Sequence, residues 1–301
     1  MNRISLAVGV VVTVATAAEA QDFSFHRDLA AGTRVWIRNV IGDVRIEGTA
    51  SRTFEVTARK KAGRHGDPED VQIKTLEVDG GVAICVYYPS QGRRRDRDRD
   101  RHEDRDQDDS SPRRHRNQPD PCHRDSEWGG DGNRNDTSVE FMVRLPAGLI
   151  ADLKTVSGDL VGTGLRGTLN LGTVSGDLRL TDVAGDALDA ASVSGNVELD
   201  RVVVRDVSAE TVSGNVTFVG PIDGKGTYDL KTLSGDVTVT LPKEPDAKMS
   251  AVTFSGGINS DLPVSTTGRH RRNRYSATWG AGTGQLDLES FSGDIRIRTT
   301  H

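Results

Sequence analysis

Serine followed by glycine and then aspartate or asparagine recurs along this sequence. The copies are Ser157-Gly158-Asp159, Ser175-Gly176-Asp177, Ser194-Gly195-Asn196, Ser213-Gly214-Asn215, Ser234-Gly235-Asp236 and Ser292-Gly293-Asp294, with Ser255-Gly256-Gly257 as a variant. Three chemistries suit these residue types. A serine near a general base is a candidate nucleophile. A column of carboxylates on stacked coils is a candidate calcium edge, because calcium takes several oxygen ligands. Paired carboxylates converging in a cleft would act on a polysaccharide. The pattern argues against each. A serine copied into every turn reads as a turn residue, since its hydroxyl bonds local backbone. Asp and Asn alternate at the third position, and they share a side-chain oxygen but not a charge. The calcium-binding nonapeptide G-G-x-G-x-D is absent. Asp182, Asp186, Asp189, Asp200 and Asp206 are further acid candidates, and no spacing singles out a pair. The 7 histidines are scattered, without H-E-x-x-H or Cys/His zinc spacing, and neither a G-x-S-x-G elbow nor a phosphate loop occurs. The expectation is a protein without catalysis, metal or cofactor.

The elements that carry these turns follow from the flanking residues. Taking the apolar residue before Ser-Gly as position zero gives Val156, Val174, Val193, Val212, Leu233, Phe254 and Phe291, at a period of about 20 residues with one double step. Apolar residues stand at −5, −3, 0, +4 and +6, as in Leu169, Leu171, Val174, Leu178 and Leu180. Period-two alternation marks strands with one buried face. The parity changes between −3 and 0, which requires a bend or bulge. Each repeat is therefore read as two short strands joined at a corner, with position zero in the core ladder. Val35, Ile37, Val40, Val44 and Ile46 form a disguised earlier copy, with Ile41-Gly42-Asp43 as its corner. The fold class expected is all-β, a parallel β-solenoid of stacked coils.

Composition fits thin coils rather than a large globular core: the 301 residues are 5% aromatic and include 33 Gly. Residues 1–20 read as a secretory signal, with Arg3, an apolar run from Ile4 to Ala17 and Ala18-Glu19-Ala20 before the cleavage point. No later run is long and apolar enough to span a membrane. Net charge is −5, which does not point to nucleic acid. Residues 21–91 are the β-rich amino-terminal part of the solenoid, with strands expected at 33–37, 43–47, 53–60, 71–78 and 82–88. Residues 137–301 hold the regular array.

Residues 92–136 interrupt the pattern with near-equal Arg and Asp plus Glu and almost nothing apolar, the composition of a disordered insert. It reads as a solvated loop, with a binding arm for charged polymers as the alternative. Cys85 and Cys122 are the 2 cysteines, and an even pair in an oxidising compartment is expected to close, pinning the loop to the sheet. A basic run holds Arg269, Arg271, Arg272 and Arg274 inside an irregular connection from Leu262 to Gly284. It reads as an exposed hairpin tip, or as a contact for an anionic glycan or envelope polymer. Arg296, Arg298, Thr299 and Thr300 are expected to shield a terminal strand edge.

The repeated Val-Ser-Gly-Asp/Asn with alternating apolar residues resembles the bacterial putative-adhesin β-strand-repeat family, strongly over 139–298 and weakly over 33–145. The resemblance implies a stacked-strand fold in an exported or envelope-associated protein, periplasmic or at the cell surface. It carries over no catalytic residues. The function expected is an exported structural or adhesive module whose partner is an envelope polymer, a glycan or another envelope protein. The alternatives are a polysaccharide-active enzyme and an envelope scaffold or stress-sensing protein that binds a partner protein.

Overall fold

A computed structural model describes residues 22–88, 120–123, 135–266 and 273–300. The signal segment, most of the Arg/Asp insert, and Arg269, Arg271 and Arg272 lie outside the described residues. The amino-terminal region forms β1 (Phe23–Asp28), β2 (Arg34–Arg38), β3 (Val44–Thr49), β4 (Thr53–Lys61), β5 (Gln72–Val78) and β6 (Gly81–Tyr87), close to the expected segments. One 3-10 turn, Pro121–His123, precedes β7 (Ser138–Pro146). The array comprises β8 (Leu149–Ser157), β9 (Leu160–Thr163), β10 (Gly167–Ser175), β11 (Leu178–Ser194), β12 (Val197–Ser213) and β13 (Val216–Val219). It continues through β14 (Thr227–Ser234), β15 (Val237–Leu241), β16 (Ala247–Ser255) and β17 (Ile258–Ser260). The chain closes with β18 (Ser265–Thr266), β19 (Asn273–Trp279), β20 (Gly284–Ser292) and β21 (Ile295–Thr299). The fold is all-β: every strand joins one hydrogen-bonded sheet, and no α-helix occurs among the described residues.

The repeat governs the pairing. Strands leading into each Ser-Gly corner run parallel in the order β2, β8, β10, the end of β11, the end of β12, β14, β20, β16. Strands leaving the corner run parallel as β3, β9, the start of β11, the start of β12, β13, β15, β21, β17. Equivalent residues pair without slippage: Leu171 with Ala190, Ala190 with Ala209, Ala209 with Leu230, Leu230 with Leu288. Such register is dictated by the period-two pattern, because a one-residue slip would turn every apolar side chain to solvent. The columns at −5, −3, +4 and +6 are buried between the two runs of strands, as at Leu169, Leu171, Leu178 and Leu180. Each fully buried Leu or Val of this kind contributes roughly 1.5–3 kcal/mol relative to exposure.

The structure corrects the expectation for position zero. Val174, Val193, Val212, Leu233, Phe254 and Phe291 are 42–52% exposed. The residues one place earlier point inward instead: Thr155, Thr173, Ser192, Thr211, Thr232, Thr253 and Ser290 are buried. Alternation therefore continues unbroken through −5, −3 and −1, and the parity changes only across the Ser-Gly corner, between −1 and +4. The buried member is a hydroxyl because a partner awaits it in the neighbouring coil.

The strands are also longer than expected. β11 and β12 each run 17 residues, through a second corner where Asp182 (φ 57°) and Arg201 (φ 51°) take the left-handed conformation. The stacking order differs as well. β20 and β21 lie between β14/β15 and β16/β17, so the last copy in sequence is not the last rung. At the other end β2/β3 lie between β8/β9 and β6/β7. β21 is thus an inner strand, and Arg296 and Arg298 do not shield an edge. They bond Asp236 and Asp261 on the adjoining coils and Asp294 in the corner of their own coil. The connection from Leu262 contains β19, which covers β16 in antiparallel fashion. β4, paired antiparallel with β7 and β1, and β5, paired antiparallel with β6, cover the opposite end.

Candidate functional site

The Ser-Gly-Asp/Asn corners stack into one column, and their polar groups are consumed in joining coil to coil. The Oδ1 of each third-position residue accepts the backbone N–H of its counterpart on the next coil. Asp43 receives Asp159 at 3.0 Å, Asp159 receives Asp177 at 2.8 Å, and Asp177 receives Asn196 at 2.7 Å. Asn196 receives Asn215, Asn215 receives Asp236, Asp236 receives Asp294, and Asp294 receives Gly257. This explains the Asp/Asn interchange, because both carry the acceptor. It also explains Gly257: on the last rung of the column no further N–H needs an acceptor.

The inward hydroxyl at −1 makes a second tie. Thr173, Ser192, Thr211 and Thr232 donate to the carbonyl oxygens of Gly158, Gly176, Gly195 and Gly214, at 2.8–3.1 Å. The glycines allow the coils to approach this closely. Gly176 has φ +154°, and a Cβ there would sit 2.1 Å from the Gly158 carbonyl oxygen. The serines at +1 are exposed, and their backbone carbonyls accept the glycine N–H of the preceding coil, as with Gly176 and Ser194.

The second carboxylate oxygen is committed where an arginine is near. Asp177 Oδ2 accepts from Arg179, which also pairs with Asp159 and Glu198. Asp236 Oδ2 accepts from Arg296. That hydrogen bond, assisted by the Asp294 N–H, holds the Asp236 carboxyl below its ordinary range. The acid candidates at the second corner are paired likewise: Asp182 and Asp200 with Arg201, and Asp186 and Asp206 with Arg205. Asp182 is held low chiefly by its bond from Arg201. No group of three or more His, Cys, Asp or Glu positioned for a metal occurs among the described residues.

A different surface lies on the outside of the strands that lead into the corner. Their outward residues form three columns. Position −4 carries Asp152, Asn170, Asp189, Ser208, Asp229 and Asp287 in paired register. Position −2 carries Lys154, Gly172, Ala191, Glu210, Lys231 and Glu289. Position zero is the exposed apolar ridge, which ends in Phe291 stacked on Phe254 with centroids 4.8 Å apart. Desolvation against the sheet pushes Asp189 and Glu210 above the ordinary carboxylate range; Lys154 and Lys231 respectively oppose the shift, and neighbouring carboxylates reinforce it. Both side chains remain solvent-accessible, which limits the effect. Lys231 reaches Asp229 Oδ2 at 2.6 Å, while Asp229 Oδ1 is buried without a hydrogen-bond partner among the described residues.

At the amino-terminal end the same face is covered. Cys85 and Cys122 form a disulfide with Cα atoms 5.7 Å apart. Cys122, Trp36, Ala83, Cys85 and Tyr87 make a second apolar cluster. Arg38, buried beneath the strap, pairs with Asp120 and with Asp152. Of the basic run only Arg274 is described, exposed on β19. The outer columns were missed in the sequence because position zero was assigned to the core; the buried Thr/Ser at −1 was the signal that would have placed it outside. The described depressions include two of about 340 Å³ near Leu29 and Ala30, away from the corner column and from the outer face.

The family model described as Toastrack DUF4097 matches residues 135–298, more than half of the chain. The chain belongs to this family. The Toastrack match takes in every Ser-Gly corner from Ser157 to Ser292, while the intercalated β2/β3 coil lies before it. Two solved structures are similar to the chain. One is titled a "putative cell adhesion protein" from Clostridium sporogenes, at 14% identity and TM-score 0.36, covering 92% of this chain and 99% of that one. The other is titled a "putative adhesin" from Bacteroides fragilis, at 9% identity and TM-score 0.40, covering 91% and 96%. No curated protein matches the chain.

Proposed function

We propose that this Toastrack protein is an exported structural or adhesive module of the bacterial envelope, built as a parallel β-solenoid, and that it is not an enzyme. The solenoid reading is supported by unslipped parallel pairing of successive repeats on both runs of strands. The observation that carries the non-catalytic reading is the use of the repeated polar groups. Each Asp or Asn that would serve as ligand or base spends its Oδ1 on a neighbouring backbone N–H. The remaining acid candidates at the second corner face arginines. What the repeats leave free is a regular outer surface, suited to contact over area rather than to chemistry at a point. Export is supported by the signal-like residues 1–20 and by the expected, closed cysteine pair. No helix among the described residues is long and apolar enough to cross a membrane.

The test is an array of glycans and envelope polymers probed with residues 21–301 and with a variant lacking 92–136. Saturable binding supports the module, and loss on deletion assigns recognition to the insert. Reproducible turnover of any polysaccharide, abolished by substituting one aspartate pair, overturns it.

A further inference from the structure

We propose that the outer face of β8, β10, β11, β12, β14, β20 and β16 docks a cationic amphipathic helix of a partner protein, lying across the strands with its apolar stripe along the position-zero ridge. This inference deepens the binding-module reading and rests on it.

The ridge has an exposed, unbroken line of apolar side chains. Val174, Val193, Val212, Leu233, Phe291 and Phe254 follow one another on adjoining strands and are 42–52% exposed. Scattered exposed apolar residues need no explanation, but a continuous line of them does. Each makes little contribution to the core, and its neighbour at −1 already closes the coil through a buried hydroxyl. The fold does not require these positions to be apolar.

Beside the ridge the charge is unbalanced. Asp189, Glu210, Asp229, Asp287 and Glu289 face outward on four consecutive rungs, where Lys231 is the lysine among them. One Asp229 oxygen is buried without a hydrogen-bond partner among the described residues, and Asp189 and Glu210 are crowded by like charges. A partner bringing lysines or arginines to these columns would neutralise them. Gly172 and Ala191 leave a low stretch between Lys154 and Glu210, which lets a rod approach the sheet.

Geometry favours a helix over a strand. Adjacent strands are spaced about 4.8 Å apart, so the ridge from Val156 to Phe254 is about 29 Å long. An apolar helical stripe advances about 5.4 Å per turn, and 18 residues span about 27 Å. Alternate residues of an extended strand repeat at about 6.8 Å and fall out of step within two rungs. The ridge and the −4 column are four residues apart, about 13 Å, comparable to a helix with its side chains.

The experiment titrates residues 21–301 into a fluorescein-labelled 18-residue peptide with Leu at helical i, i+3/i+4 spacing and Lys along one flank. Controls are a scrambled peptide of identical composition and one with Glu replacing Lys. Binding at least tenfold tighter than to both controls is expected. A V212S/L233S/F291S variant should weaken it at least tenfold, and an E210Q/D229N variant should weaken it severalfold and flatten its salt dependence. These side chains are at the surface, so unchanged circular dichroism and melting would show that the variants remain folded. Equal binding of the scrambled peptide, or unchanged binding by V212S/L233S/F291S, overturns the proposal. Absent peptide binding with retained polymer binding on the array overturns this proposal alone; absence of both overturns the binding-module reading too.

Discussion

Replacing Asp177 tests whether the corner column works through its acceptor or through its charge. Asp177 Oδ1 accepts the Asn196 N–H at 2.7 Å, and Oδ2 accepts from Arg179 at 2.5 Å. Asp177→Asn keeps the first bond and loses the ion pair. Arg179 is 41% exposed and retains Asp159 and Glu198, so the loss should be about 0–1 kcal/mol. Asp177→Ala removes both and leaves the Asn196 N–H without its acceptor, which costs about 1–3 kcal/mol. Global unfolding of a stacked array can blur such a difference, because each rung chiefly feels its neighbours. Hydrogen exchange at the Asn196 amide reads the rung directly. A difference of about 1.4 kcal/mol is a tenfold change in protection. Exchange at Asn196 should accelerate roughly five- to a hundredfold in D177A and by less than about fivefold in D177N. Equal acceleration in the two variants would refute the acceptor argument and make charge the selected property. No acceleration in D177A would refute the column as a source of stability.

Three further outcomes follow from the geometry. Gly195→Ala should fail to give folded protein, since its Cβ would lie 1.9 Å from the Gly176 carbonyl oxygen at φ +152°; soluble protein with a wild-type melt would contradict this. Cys85→Ser with Cys122→Ser should lower stability by up to about 3–4 kcal/mol in the loop-entropy estimate and expose Trp36; an unchanged tryptophan emission spectrum and denaturant midpoint would deny the strap its role. Burial pushes the Tyr88 hydroxyl up to about 12, and it donates to the Thr137 carbonyl at 2.6 Å. Below pH about 10 both folded and unfolded chains keep the proton. Above it the unfolded chain releases it first, so stability should fall as pH rises from about 10 to 12. Tyr88→Phe should remove part of that fall in melting temperature, and an identical alkaline slope would refute the assignment.

Much of the fold was legible because burial repeats at the strand period. Leu169, Leu171, Leu178 and Leu180 fall on one face in the sequence and in the structure. The corner copy hidden at Ile41-Gly42-Asp43 was found the same way, and Asp43 indeed starts the ladder. Position zero was misplaced because hydrophobicity was taken as burial. Thr211 is buried by virtue of a hydrogen bond to another coil, which no local pattern reveals. The second corner was invisible because Asp182 and Arg201, not glycines, adopt the left-handed conformation there. The order of the final rungs was hidden for another reason. Leu233, Phe254 and Phe291 all carry the repeat, and nothing in their spacing says that Phe291 lies between the other two. The outer columns became visible only when register aligned Asp189, Glu210 and Asp229 on adjoining strands.

The intercalation of β20/β21 bears on how the chain reaches its native state. In a simple stack each coil can settle on the one made before it, and growth proceeds rung by rung. Here β16 and β17 emerge early but meet no parallel neighbour until residues 284–299 arrive. β14 and β15 likewise wait with one open side. The carboxy-terminal third must therefore assemble around its latest segment, with loop closure preceding any reward. A chain delivered from its amino terminus would hold open strand edges until delivery is nearly finished, the interval in which unwanted pairing with other chains is most favourable. Once in place, the inserted coil is gripped on both sides. Its removal requires parting two parallel interfaces at once, whereas the outer rung β16/β17 has one parallel interface to lose.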